Sequence, residues 1–315
     1  TITGLAGSTT SNSAGLAVTT TCASGSLGTT GSWNNTGTLI LTVATTVPAN
    51  TSCTITFNLT NPSSDLTSPA VSVQAALTDG SSSIGSIASA SMVKPGTAVY
   101  GVTNGADPLT VVVPTFSTKT IQQHTPASGA LNMMTVTLTA NYDLIAGSKP
   151  ATITIRGLTG SATPNSADML ISICGIISPD TKGNWTQSTG TLVFPVDSTI
   201  YAGTDCAITF NITNPDANQG SPTVTVQASM TDGASNIGII LEGEMVRPGT
   251  AQYGVVNGTN PLKVVVATFS TKTIQQKSPL SGVKNTIIAT LTANYDLIAG
   301  SKPATITIRG LTGSA

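Results

Sequence analysis

Charge is what this sequence has least of: 12 Lys and Arg against 13 Asp and Glu make 8% of 315 residues, with a formal net charge of -1. Holding a nucleic acid or an anionic membrane surface takes a clustered basic field, and the composition supplies none. Aromatic residues are thin too, at 4%, too few for a sugar-stacking platform. No apolar run approaches the roughly 20 residues of a membrane-crossing helix. The longest, around Met169 to Ile177, is interrupted by Ser172 and Gly175 and reads as a buried strand. No segment sustains the helical hydrophobic period.

Signatures of catalysis are equally sparse. There is no Gly-x-Ser-x-Gly elbow, no zinc-ligand spacing and no phosphate-cradling glycine loop ahead of a helix. The sole histidine, His124, is replaced by Lys277 at the equivalent repeat position, so acid-base work there would not be shared between repeats. Asp79, Asp107, Asp143 and Asp205 stand singly among turn residues. Calcium loops need carboxylates at alternate positions, so turn capping is the ordinary reading, and one weak calcium site assembled across loops is the alternative. The expectation is a non-enzyme with no catalytic residues, no resident metal and no cofactor.

What the chain does contain is itself, twice. The 26 residues from Thr137 to Ala162 recur letter for letter from Thr290 to Ala315, an offset of 153 residues. At the same offset Thr115 to Ile121 returns at Thr268 to Ile274, and Cys53 to Asn58 returns at Cys206 to Asn211. The opening Thr1 to Ser8 matches Thr154 to Ser161 and again Thr307 to Ser314. Both termini fall at equivalent points inside a repeat, so the chain reads as a phase-shifted slice of a longer array.

Ser and Thr supply more than a quarter of the residues, a composition of strand formers. Short alternating segments bounded by Gly, Pro, Asn and Asp run throughout. Val136 and Leu138 should face inward, with Thr135, Thr137 and Thr139 outward; Ile153 and Ile155 should face inward, with Thr152, Thr154 and Arg156 outward. Seven candidate strands fall near Thr118, Thr135, Thr152, Met169, Thr191, Ala207 and Thr223. Seven short strands at this spacing predict an all-β fold of tandem immunoglobulin-like antiparallel β-sandwich repeats. The expected divisions are 1–114, a first repeat lacking its opening strands; 115–267, a complete sandwich with residues from about Asp232 onward as a connector or small β-element; and 268–315, the opening strands of the next repeat. A parsing into two half-size domains per repeat is the alternative. Trp33 and Trp185, in equivalent places, are expected in the core.

Two cysteines fall in each repeat, Cys22 with Cys53 and Cys174 with Cys206. The even count and repeat symmetry favour one disulfide per repeat in an oxidising compartment, with buried free thiols as the alternative. Six Asn-x-Ser/Thr sequons occur, at Asn34, Asn50, Asn58, Asn184, Asn211 and Asn257. A hydroxyl-rich chain generates sequons by chance, so position is the better guide. Asn58 and Asn211 are repeat-equivalent and alternate with an inward set of Cys53, Ile55, Phe57 and Leu59, which places Asn58 outward. The threonines at 135, 137, 139, 152 and 154 raise two further readings, a flat ice-binding array and a carrier of O-linked sugar, against the plain preference of Thr for exposed strand faces.

The ordered motifs Asn141-x-x-Leu144-x-Ala146-Gly147-Ser148, Thr152 to Ile155 with Gly157 to Ser161, Trp185 with Gly190-Thr191-Leu192, and Ile208 to Asn211 with Thr213-Asn214-Pro215 resemble the tandem β-sandwich repeats of large secreted or surface proteins of algae and other protists. More loosely, they resemble the stalk modules of bacterial adhesins. The resemblance implies an extracellular repetitive protein and brings no catalytic residues with it. The expected function is a structural building block of an extracellular fibre or cell-surface stalk. Its partners would be copies of itself and covalent glycans, with no nucleic acid and no membrane insertion by this segment. An adhesin-type module recognising carbohydrate or another cell surface is the alternative.

Overall fold

The computed structural model describes residues 1–312, and of residues 177–181 the backbone alone. The described structure is β throughout, relieved by a single 3-10 turn at Gln187–Thr189. The chain divides into two compact units, Thr1–Pro114 and Thr115–Ala315.

The second unit carries the more complete sheet. Its strands are β8 (Phe116–Gln123), β9 (Leu131–Ala140), β10 (Thr152–Arg156), β11 (Ser166–Ile173), β12 (Ile176–Thr186), β13 (Thr191–Pro195), β14 (Cys206–Thr213), β15 (Thr225–Thr231) and β16 (Asn236–Glu244). They pair in the order β16-β15-β10-β13-β12-β11-β14-β9-β8, each neighbour antiparallel. The sheet curls until its ends meet. Leaving β16, the chain runs parallel to β8, where Ile121 N–H donates to Val246 O at 3.0 Å and Val246 N–H donates to Lys119 O at 2.8 Å. Closure of this kind removes the free edges that would otherwise pair with other chains.

Alternation decides what fills the interior. On β14 the buried set is Cys206, Ile208, Phe210 and Ile212; on β9 it is Asn132, Met134, Val136 and Leu138. Trp185, Phe194, Ile153, Ile155 and Leu158 complete one continuous core. One of the three glycines in the Thr137–Ala162 stretch shows its steric reason plainly. Gly157 turns with φ of 90°, and a Cβ there would meet Thr223 O at 2.2 Å. Its equivalent Gly4 turns with φ of 95°, and a Cβ there would meet Ala70 O at 2.0 Å.

The first unit repeats the latter part of this pattern: β1 (Ile2–Thr3), β2 (Ser13–Cys22), β3 (Ser26–Asn34), β4 (Thr38–Thr45), β5 (Cys53–Phe57), β6 (Ser72–Thr78) and β7 (Ser83–Ser91), in the order β5-β2-β3-β4-β1-β6-β7. A small core of Ile2, Leu5, Trp33, Leu39 and Val71 holds it. The last described segment forms a hairpin, β17 (Phe269–Gln276) with β18 (Ile287–Ala293).

The structure departs from two sequence expectations and selects between the alternatives of a third. The apolar run around Met169 to Ile177 is two strands, not one, because Cys174 and Gly175 both take left-handed φ, 50° and 80°, and turn the chain between β11 and β12. Of the two readings for residues from Asp232 onward, the β-element describes Asn236–Glu244: β16 zips along β15, and Val246, Thr259 and Val265 hydrogen-bond to the β8 region. The proposed threonine array does not assemble. Thr139 and Thr154 are buried, and β9 and β10 are not neighbours in the sheet.

Candidate functional site

Both cystines are formed, Cys22 with Cys53 and Cys174 with Cys206. Each lies where strands already pair: Cys22 faces Cys53 across β2 and β5, and Cys174 follows Ile173, which faces Ile208 on β14. Such a bond fastens a ladder that local hydrogen bonding has aligned. Two cystines suit a secreted protein in an oxidising environment. The sequon residues Asn34, Asn50, Asn58, Asn184, Asn211 and Asn257 are all exposed. Asn211 lies on β14 between buried Phe210 and Ile212, so its side chain points away from the core.

The most elaborate polar arrangement was not anticipated from sequence. Gln123, Asn132 and Asn214 form a buried amide cluster. Asn132 Nδ2 donates to Gln123 Oε1 at 2.9 Å and to Asn214 Oδ1 at 2.8 Å. Asn132 Oδ1 accepts the N–H groups of His124 and Thr125 at 3.1 and 3.0 Å. Gln123 Nε2 donates to the carbonyls of Gly258 and Lys263 at 2.8 and 2.7 Å, and Asn214 Nδ2 to those of Thr125 and Ala127 at 2.9 and 2.8 Å. All three amides are spent on joining β8, β9, the end of β14 and the 258–263 loop. The signal that could have found them is their recurrence, Gln276, Asn285 and Asn61, at the same offset.

A groove in the first unit, about 450 Å³, has Asp65, Lys94 and Asp107 in its lining. That trio has the look of chemistry, yet each group is committed to backbone. Asp65 Oδ1 accepts Val113 N–H at 2.6 Å, Asp107 Oδ1 accepts Gly96 N–H at 2.7 Å, and Lys94 Nζ donates to Ser68 O at 2.9 Å. At the equivalent places of the second unit stand Asn218, Asn260 and Arg247. Asn218 Oδ1 accepts Val266 N–H at 2.7 Å, and Asn260 Oδ1 accepts Gly249 N–H at 2.8 Å. An amide replaces the carboxylate while the hydrogen bond stays, so what the fold keeps at these positions is an acceptor oxygen, not a charge.

The turn aspartates behave alike. Backbone N–H groups of Ser82 and Ser81 hold Asp79 below its ordinary value, and those of Ala234 and Ser235 do the same for Asp232. Tyr295, stacked on Tyr253 with ring centroids 5.7 Å apart, is raised chiefly by burial. His124 is exposed and works through its backbone, its carbonyl accepting Gln252 Nε2 at 2.5 Å. Lys277 can supply the same backbone groups at that position of the next repeat. Asp143 Oδ1 accepts Ala202 N–H at 2.8 Å, and Asp205 accepts the Thr139 hydroxyl. Among the described residues no three His, Cys, Asp or Glu side chains cluster as a metal site, and no helix is long and apolar enough to cross a membrane.

The class defined at this point is an all-β protein of antiparallel curled sheets carrying two cystines. Comparison with protein-family models and with curated proteins finds no match.

Proposed function

We propose that this chain is a structural building block of an extracellular fibre or cell-surface stalk. Each 153-residue period would be one immunoglobulin-like sandwich module: 115–267 is the complete module, 1–114 the later part of one and 268–315 the opening of another. The observation that carries this reading is what the repeat preserves. Core positions, turn glycines, cystines and backbone-capping oxygens recur at equivalent places, while the carboxylates at 65 and 107 give way to the amides Asn218 and Asn260 and Lys94 is replaced by another cation, Arg247. A module selected for its architecture has that profile. In such an assembly paired strands and cystines resist unfolding, repeat number sets length, and non-closing contacts between successive modules generate a filament. Sugars on the exposed sequons, Asn58 and Asn211 first, would cover the outer faces, and the resemblance to protist surface repeats points to the same setting.

Electron microscopy of native material tests the proposal. Ordered filaments or stalks with an axial repeat matching one or two modules are the expected result. Tight, saturable binding of one glycan by an isolated 115–267 module would replace it with the adhesin reading.

A further inference from the structure

We infer that Tyr253 and Tyr295 form an oxidative cross-linking site, where phenol coupling joins one period of the chain to the next through a dityrosine bond. Its use in a fibre rests on the structural-module reading, while its chemistry stands on the geometry of one joint inside the second unit.

Tyrosine is scarce, and its placement is not scattered. Of five tyrosines, four occupy two positions of the repeat: Tyr100 recurs as Tyr253 and Tyr142 as Tyr295, at the offset of 153 residues. Tyr253 belongs to 115–267, and Tyr295 follows β18 in the next period. Their rings stack across that joint, with centroids 5.7 Å apart and planes 21° from parallel, within the range of offset aromatic pairs.

Tyr253 sits at a costly place to put a ring. Gln252 N–H donates to Val255 O at 3.0 Å and Val255 N–H to Gln252 O at 2.9 Å, and the two residues between them, Tyr253 and Gly254, take φ of 51° and 77°. A two-residue turn of this hand favours Asn or Asp ahead of Gly, because left-handed backbone presses Cβ toward the following carbonyl oxygen. The first unit builds the same turn from Val99 to Val102, with Tyr100 and Gly101 at 51° and 77°. A bulky residue kept twice where Asn would strain less points to a use for its ring.

Hydrogen bonds fix the other ring against it. Asn294 Oδ1 accepts Thr268 N–H at 2.7 Å and Asn294 Nδ2 donates to Val266 O at 3.0 Å, tying the end of β18 to the boundary between periods. Asp296 N–H then donates to Tyr253 O at 2.9 Å. The Asp296 carboxylate lies close over the turn, where a Cβ on Gly254 would meet its Oδ1 at 2.6 Å. The Thr125 hydroxyl is 3.5 Å from the Tyr295 phenol oxygen. Two phenols held this way have little freedom left to lose, which favours their joining over chance encounters between chains.

Competing thiols and indoles are withdrawn. All four cysteines are held in cystines, and Trp33 and Trp185 are 2% and 1% exposed. Tyr253 and Tyr295 are both partly exposed. A one-electron oxidant reaching them takes the O–H hydrogen atom from each phenol. The two phenoxyl radicals then pair, a bond forming between ring carbons ortho to the oxygens, and the hydrogens on those carbons pass to the oxygens to restore both phenols. The net change is the loss of two hydrogen atoms, which one hydrogen peroxide, acting through a haem peroxidase, takes up as two waters. A compartment oxidising enough to form the cystines suits this step.

The test exposes the full chain, in dilute solution, to a haem peroxidase and hydrogen peroxide. The expected product is a monomer with dityrosine fluorescence and a coupled peptide linking Tyr253 to Tyr295, two hydrogen atoms lighter than its parts. Tyr201, 66% exposed, is the control for accessibility. Were access alone to govern, it would couple first, and between chains. Coupling at the joint should exceed coupling through Tyr201 by about a hundredfold or more. Tyr253→Phe keeps a ring in the stack and removes the phenol, so it should abolish the coupled peptide and leave the urea midpoint in place. Peptide mapping of native material should show the same link. An oxidised chain that yields only Tyr201-linked oligomers, or native material with Tyr253 and Tyr295 uncoupled, overturns the inference. The fibre reading is decided separately: filaments without the link remove the link alone, and the link in material without filaments removes the fibre alone.

Discussion

At the scale of single residues, most polar side chains in this protein serve the backbone. Asn132 is the fullest case, since its amide satisfies four partners in the closed module. Asn132→Leu should destabilise that module by about 3 kcal/mol or more, because buried donors and acceptors lose their partners together. The same change at Asn285, in the exposed hairpin, should leave the module's denaturation midpoint unmoved. Urea unfolding of the two variants side by side measures the contrast. Asp79 and Asp232 allow a test by pH. Their backbone donors favour the charged form, so the folded pKa lies below the ordinary 3.8. The stabilisation is then fully present above the unfolded pKa and is lost as pH falls through the folded one. A carboxyl NMR titration should place both midpoints under 3.8, and midpoints at or above that figure would contradict the hydrogen-bond account.

At the scale of elements, the period-two pattern was the legible part. Val136, Leu138, Ile153 and Ile155 point inward as alternation requires, and Trp33 and Trp185 are buried, each indole N–H donating to a carbonyl, of Thr10 and Thr163. Burial of Thr154 and Thr139 was not legible, because alternation tells which face a residue is on and not whether something packs against that face. The β11 to β12 corner was hidden for a local reason: an apolar run looks continuous until left-handed φ at Cys174 and Gly175 breaks it. The Cys174–Cys206 bond ties that corner to β14. Replacing both cysteines by serine should cost about 3 to 4 kcal/mol in the chain-entropy model for a loop of this length, read as a lowered midpoint in the same urea experiment.

At the scale of the whole molecule, the closed module and the parts around it differ in how much apolar surface they cover. Hydrogen exchange should find slow amides in 115–267 and faster ones in 1–114 and 268–312. Uniform protection across the three segments would contradict that difference. Exposure of all six sequons predicts a mass decrease when native material is treated with an N-glycan-removing amidase. The peptide containing Asn211 should be among those that lose sugar.

The sequence by itself determined the repeat, the β character, the cysteine pairs and the inward faces, because periodicity and recurrence are properties of the chain read in order. Tertiary structure alone decided that β16 lies along β15, that three distant amides meet at one buried point, and that a curled sheet closes on Val246. Those facts depend on which strands become neighbours. Non-local pairing is fixed by how side chains fill a shared interior, a quantity no local pattern contains.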